Sequence, residues 1–293
     1  MSTPAKKNNH IYSSAVWNGL GDRLGEYLGT HLALVAAEID CMVLMKYALS
    51  SNRGSIMTDS VHQKTCISNA AFNGNLAMIR YLVEENRFSF HEETWVTYAA
   101  QKGRVGILKY LDEKGVSYVD IKCPMTGRTC IMEAAHYGQL GVLKYLVEEK
   151  GVRCSDEIRN GKGETCTMLA VVGGHLGIVE YFVEQQGTRC GDTIRDKEGM
   201  TCTMKASERG HIGVLKYLVE NQGAGYGDTI RDRYGMTCTL HCAKSGNLGV
   251  MKYLVENGAG CSIGIANRYG VTCSKFARWN EGLATYIQSH RWG

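Results

Sequence analysis

No stretch of this chain approaches the roughly 18 to 20 consecutive apolar residues that a bilayer-spanning helix requires. The richest segment, His31 to Leu49, is interrupted by Glu38, Asp40 and Lys46 and reads as one buried helix of a soluble fold. An excess of either charge is also missing. The 33 Lys and Arg are interspersed with 29 Asp and Glu for a net charge of +4, so no nucleic-acid-binding or membrane-binding tail stands out. Twelve cysteines in 293 residues are too sparse for a small disulfide scaffold. Catalytic signatures are lacking as well: there is no P-loop, no H-E-x-x-H and no G-x-S-x-G. With 44% hydrophobic and 21% charged residues, the composition is that of a folded chain.

What the chain does have is a period. Thr-Cys-x-x-x followed by a small residue recurs at Thr65, Thr129, Thr165, Thr201, Thr237 and Thr272, and Thr94-Trp95 opens a further copy. The spacings are 29, 35, 36, 36, 36 and 35 residues, and a Tyr follows each of the first six Thr by sixteen residues, from Tyr81 to Tyr253. Stepping back from Tyr81 reaches Tyr47, so a worn first copy begins near His31. Such a period marks a repeat array.

One copy shows the physics. Thr201 is placed to cap a first helix, which Gly210 ends after about two turns with a left-handed residue. Ile212, Leu215, Leu218 and Val219 then predict the apolar stripe of a second helix. A pair this short cannot bury its stripe alone and must stack on its neighbours.

These residues resemble the ankyrin repeat, with its T-P-L-H-x-A-A-x-x-G-H signature, over residues 31–293. The resemblance implies an all-α solenoid of stacked helix pairs with extended β-finger loops. Repeats start near His31, Thr65, Thr94, Thr129, Thr165, Thr201 and Thr237, and a C-terminal half-repeat caps the array from Thr272. Residues 1–30 read either as a tail, with an organelle-targeting peptide as a variant, or as a capping helix around Leu20 to Leu28. The departures from the signature are regular: Cys replaces its Pro, and Met132, Met168, Met204 and Leu240 replace its His. Individual repeats weaker than consensus ones are expected.

The cysteine ladder reads as small packing residues, because equivalent positions in helices about 8 to 10 Å apart are too distant for disulfides or a shared zinc ion. Unpaired thiols fit a reducing, cytoplasmic setting. A second series in the fingers, Cys154, Cys190 and Cys261, is expected to be more exposed. Cys238, His241 and Cys242 form an incomplete metal-ligand set, and no cofactor is expected. His175 and His211 are expected to cap the second helices.

The resemblance also implies the place of binding, namely the fingers and the exposed face of the first helices. The fourth, seventh and eighth residues after each Thr are expected to form that face. On this reading Tyr98, His136, Tyr137, Leu169 and Val172 anchor a partner protein, and the positions from Lys205 to Ser245 form a charged third of the groove. A finger stripe of Lys122, Arg159, Arg195 and Arg231 either meets an acidic partner surface or pairs with Asp192, Asp196, Asp228 and Asp232 as a structural device. The expected function is a non-catalytic protein-binding platform or scaffold, or a subunit of a larger complex. It is expected to bind neither nucleic acid nor membrane. A redox-responsive or metal-binding protein, and an effector that captures a host protein, are the alternatives.

Overall fold

The computed structural model describes residues 29–50, 60–88, 93–188, 194–257 and 262–290. Cys190, Cys261, Asp192 and the capping segment around Leu20 to Leu28 lie outside them. The chain divides into two compact blocks, one of residues 1–99 with 106–116 and one of residues 100–105 with 117–293.

In the N-terminal block, the segment expected as one helix is two. Residues 29–38 and Met42–Ser50 are helical, and the chain breaks between them at Asp40, whose φ is 59°. A longer helix, Ser60–Asn73, follows. Thr65 therefore caps nothing: it sits within that helix, and its hydroxyl donates to the Val61 carbonyl at 2.9 Å. The partner helix runs from Leu76 to Arg80 and widens into a π-type turn over Tyr81–Glu85. There the Asn86 N–H reaches back five residues to the Tyr81 carbonyl.

The C-terminal block is a regular helical solenoid. Its first helices are Cys130–His136, Cys166–Gly173, Cys202–Arg209 and Cys238–Ser245, and each packs on the next. Each is followed by a second helix beginning at Leu140, Leu176, Ile212 or Leu248. Helices Cys273–Phe276 and Glu281–Ser289 close the block. The capping expectation holds at Thr165, Thr201 and Thr237, whose hydroxyls accept from the N–H of Met168, Met204 and Leu240. At Thr129 the hydroxyl is buried without a partner among the described residues. Each first helix needs its terminal glycine twice over. Gly174 has φ of 75°, and a Cβ there would lie 2.6 Å from the ring of His211 in the next repeat. The glycine thus both ends the helix and admits its neighbour.

The apolar stripe is rotated from the one expected. Val214, Leu215, Tyr217 and Leu218 are buried, whereas Ile212 is exposed and Val219 is half-buried. Ile212 occupies the first helical position, beside the loop, where no neighbouring helix covers it.

The fingers contain no strands among the described residues, only isolated bridges at Lys122–Thr129 and Ala266–Thr272. A side-chain device shapes them instead. Asn160, Asp196, Asp232 and Asn267 each stand five residues before a repeat Thr, and each accepts two backbone N–H groups with one oxygen. This Asx turn shapes the finger in place of a strand ladder.

Candidate partner-binding surface

Three ladders join successive repeats, and they determine which side chains remain free for a partner. The first is made of the finger arginines. Arg159 Nη1 donates to the carbonyls of Gly163 and Arg195, Arg195 Nη1 to those of Gly199 and Arg231, and Arg231 Nη1 to those of Gly235 and Ala266, at 2.7 to 3.1 Å. Each guanidinium ties its own finger to the next. Of the stripe read either as facing an acidic partner or as a structural device, the three arginines are thus bonded within the array, but to main-chain carbonyls where carboxylates were expected. The neighbouring acids are engaged elsewhere. Asp196 and Asp232 hold the Asx turns, and Asp228 accepts the Ser262 N–H at 2.6 Å.

The second ladder starts at the residue after each central glycine. His175 Nε2 lies 3.0 Å from the His136 carbonyl, and His211 Nε2 lies 3.1 Å from that of Val172. Asn247 reaches the Ser207 and Glu208 carbonyls in the same way. These residues stand at the N-cap position, yet the histidine rings reach back one repeat and do not cap their own helices.

The third ladder is the recurrent Tyr. Tyr181, Tyr217 and Tyr253 each donate to a Glu 33 residues earlier, and within the N-terminal block Tyr110 donates to Glu84, 26 residues earlier. Burial, and then the carboxylate partner, push Tyr110, Tyr181 and Tyr253 up to about 12. These hydroxyls stay protonated and keep donating.

The fourth position after the Thr was expected to face solvent. In the C-terminal block it does not. Glu133, Leu169, Lys205 and His241 are all buried, Leu169 at 0% exposure. The side chain leaves the first helix toward the base of its finger: Glu133 accepts from the Thr126 hydroxyl at 2.9 Å, and Lys205 and His241 meet the Asx-turn acids. Lys205 Nζ lies 2.9 Å from Glu164 Oε1 and 2.7 Å from Asp196 Oδ2. Burial pushes the Glu164 carboxyl up, but the Lys205 ammonium and the Asn160 amide outweigh it and hold the group below its ordinary value. At the next repeat His241 Nε2 lies 3.0 Å from Asp232 Oδ2. Leu169 is therefore a packing residue and leaves the set of candidate anchors. The charged third of the groove loses Lys205 and His241 but keeps Arg209, Lys244 and Ser245 at the surface.

The other anchors are better placed. Tyr137 is 42% exposed, and its ring meets that of His136 edge-on at 4.9 Å. His136 is half-buried, and burial first, then Arg128, holds its imidazole below the ordinary value, so it is neutral at physiological pH. Val172 is half-buried beside its carbonyl's bond to His211. Tyr98 belongs to the N-terminal block, is 38% exposed, and meets the exposed Phe72 edge-on at 6.3 Å. Those two rings line an open groove of about 690 Å³ together with Glu38, Lys64, Ser68 and Asn69. Phe72, at the seventh position of the Thr65 repeat, was among the residues expected on this face but not among the anchors. Its exposed aromatic at a position that otherwise varies was the available signal.

The suspected metal set is not assembled. His241 turns to Asp232, while Cys242 Sγ donates to the Thr239 carbonyl at 3.2 Å. Among the described residues no three His, Cys, Asp or Glu side chains converge as a metal site would require. No helix among them is long and apolar enough to cross a membrane.

The family model for ankyrin repeats matches residues 117–194 and 189–267, together just over half of the chain. No curated protein matches the chain.

Proposed function

Because the chain belongs to the ankyrin-repeat family, whose arrays generally mediate protein–protein contacts and are typically non-enzymatic, we propose that it is a platform that holds a partner protein on the faces of its first helices. The observation that carries this reading is the pairing of partly exposed rings at fourth-, seventh- and eighth-position sites. Phe72 with Tyr98 lines a groove in one block, and Tyr137 stands on His136 in the other. Partly exposed aromatic groups beside polar neighbours such as Lys64 and Asn69 have the composition of interface anchors. The finger arginines are left out of the contact, since they are occupied in joining fingers. Val172 and His136 support the rim.

Cytoplasmic residence, or another reducing compartment, belongs to the same proposal, and the buried free thiols of Cys66, Cys130 and Cys202 fit it. Membership of a larger complex is one form that such binding takes.

The test uses the full chain as bait in extract of its native source, with quantitative identification of the captured proteins. Phe72→Ala with Tyr98→Ala, or Tyr137→Ala alone, should deplete a captured protein at least several-fold while the circular dichroism melt stays unchanged. If all variants capture the same proteins in the same amounts, the first-helix faces are not the binding surface.

A further inference from the structure

The fingers do not expose what was expected of them. Cys154, the described member of the finger cysteine series, is buried. What the fingers show to solvent lies at their tips, and the tips change character along the array. In the Thr201 repeat the tip is Lys197 with Glu198, whereas in the next two it is Arg233 with Tyr234 and Arg268 with Tyr269. Both tyrosines are exposed, Tyr269 by 72%. The Arg268 N–H donates to the Tyr234 carbonyl at 3.1 Å, which joins these two tips side by side.

The first helices add to the same surface. The seventh position lies one turn beyond the fourth on one helix face, and at His241 the fourth meets the base of its finger. Lys244, the seventh residue after Thr237, therefore stands on the finger side of its helix, and it is exposed. In the closing half-repeat the seventh residue is Trp279, 85% exposed, with the Arg278 guanidinium 4.8 Å from its ring centroid. A cap that only shields the end of an array needs a polar outer face, so stacking gives no reason for that ring. Trp and Arg are the residues that binding hot spots favour.

The charge is one-sided. From Arg233 onward the tip, seventh and eighth positions hold no acid. Arg233, Lys244, Arg268 and Arg278 form no ion pair among the described residues. Cations elsewhere are matched, as in Lys114 with Glu84 and Arg80 with Glu113. Acids bound the patch at both ends: Glu198 and Glu208 in the Thr201 repeat, and Glu281 at the start of the last helix.

We propose, building on the reading of the chain as a protein-binding platform, that this C-terminal end of the groove takes a short extended acidic segment of the partner, with an apolar side chain seated on Trp279. Neighbouring repeats stand about 10 Å apart, which is about three residues of extended chain. Carboxylates at that interval would meet Arg233 and Arg268 in turn. A nucleic acid fits less well. Its affinity comes from neutralising many phosphates along a track, and here acids close off the positive stretch.

The experiment measures fluorescence anisotropy of the full chain with a short dye-labelled peptide carrying Glu at every third position and Leu between. The same peptide with Gln for Glu, and an oligothymidylate of similar length, are the comparisons. The Glu peptide should bind several-fold more tightly than either, and its affinity should fall as salt is raised. Arg233→Gln with Arg268→Gln, and separately Trp279→Ala, should each weaken it several-fold while the melt stays unchanged, because these side chains are exposed. Equal binding of the Glu and Gln peptides, tighter binding of the oligothymidylate, or variants that bind as the parent does would overturn the proposal. Those outcomes leave the platform reading intact, since capture through Phe72, Tyr98 and Tyr137 is read separately. Capture indifferent to those three, with the peptide preference kept, would overturn that choice of anchors and leave the C-terminal patch standing.

Discussion

The regular repeats from Thr129 to Thr237 and the irregular ones before them treat the same helix positions differently. In the regular repeats the fourth position is driven under the fingers, and His175, His211 and Asn247, each following a central glycine, are spent on the preceding repeat's carbonyls. In the N-terminal block Asn69 at the fourth position is half-buried, Tyr98 there is exposed, and Phe72 stands beside an open groove. Stacking and recognition therefore draw on one stock of side chains. Where the fingers are long and carry Asx turns, stacking takes the fourth position. Where the copy is shortened, that position stays available.

The sharpest way to break this comparison is to remove the most deeply committed fourth-position residue. Lys205→Met leaves Glu164 and Asp196 buried without their cation, and one-sided removal of a buried pair costs about 3 to 5 kcal/mol. A urea melt at neutral pH should show that loss, and a cost under about 1 kcal/mol would mean that the position is only nominally buried.

Acid should act on this cluster and on its counterpart at His241 in the next repeat. Burial raises the Glu164 and Asp232 carboxyls, but their partners bring both below their ordinary values near 4.5 and 3.8. A group lowered in the folded state stabilises it above the unfolded value and loses that contribution as pH falls through the folded value. The melting temperature of the parent chain should therefore not respond to these groups between pH 7 and about 5, and should fall below about 4.5. In the Lys205→Met variant the gap to the parent should narrow over that acid limb, because protonation relieves the abandoned carboxylates. A gap that widened would reverse the assignment.

A smaller effect is expected from the finger ladder. Arg195→Ala removes charge-assisted bonds to the Gly199 and Arg231 carbonyls, a loss of about 1.5 to 3 kcal/mol in folding stability. Arg195→Lys should recover little of it, since an ammonium lacks the planar fork of donors. The smallest change belongs to the irregular copies. Tyr98→Ala should move stability by less than about 0.5 kcal/mol, because the ring is spent on the groove. A large loss would show that stacking claims this position too.

Much of the architecture could be read from the chain before any coordinates. Helix pairs, central glycines, capping threonines at Thr165, Thr201 and Thr237, and stacking all follow from a period of 36 residues carrying local signals. Less of the surface was legible. Leu169 looked like an anchor because a helical position was compared across copies without knowing what the fingers cover. The arginines looked as if they should pair with the nearest acids, yet those acids were already held by backbone N–H groups within their own turns. The recurrent Asp or Asn five residues before the Thr was visible as a pattern. Its use became clear only with the turn folded.

The sequence by itself determined the repeat and its helices, because caps, glycine stops and apolar spacing act within a few residues of one another. Tertiary structure alone decided which way the fourth position points and which carbonyls the arginines take. Those contacts close between a finger and helices up to a repeat or more away, so their outcome depends on packing geometry that no local propensity records.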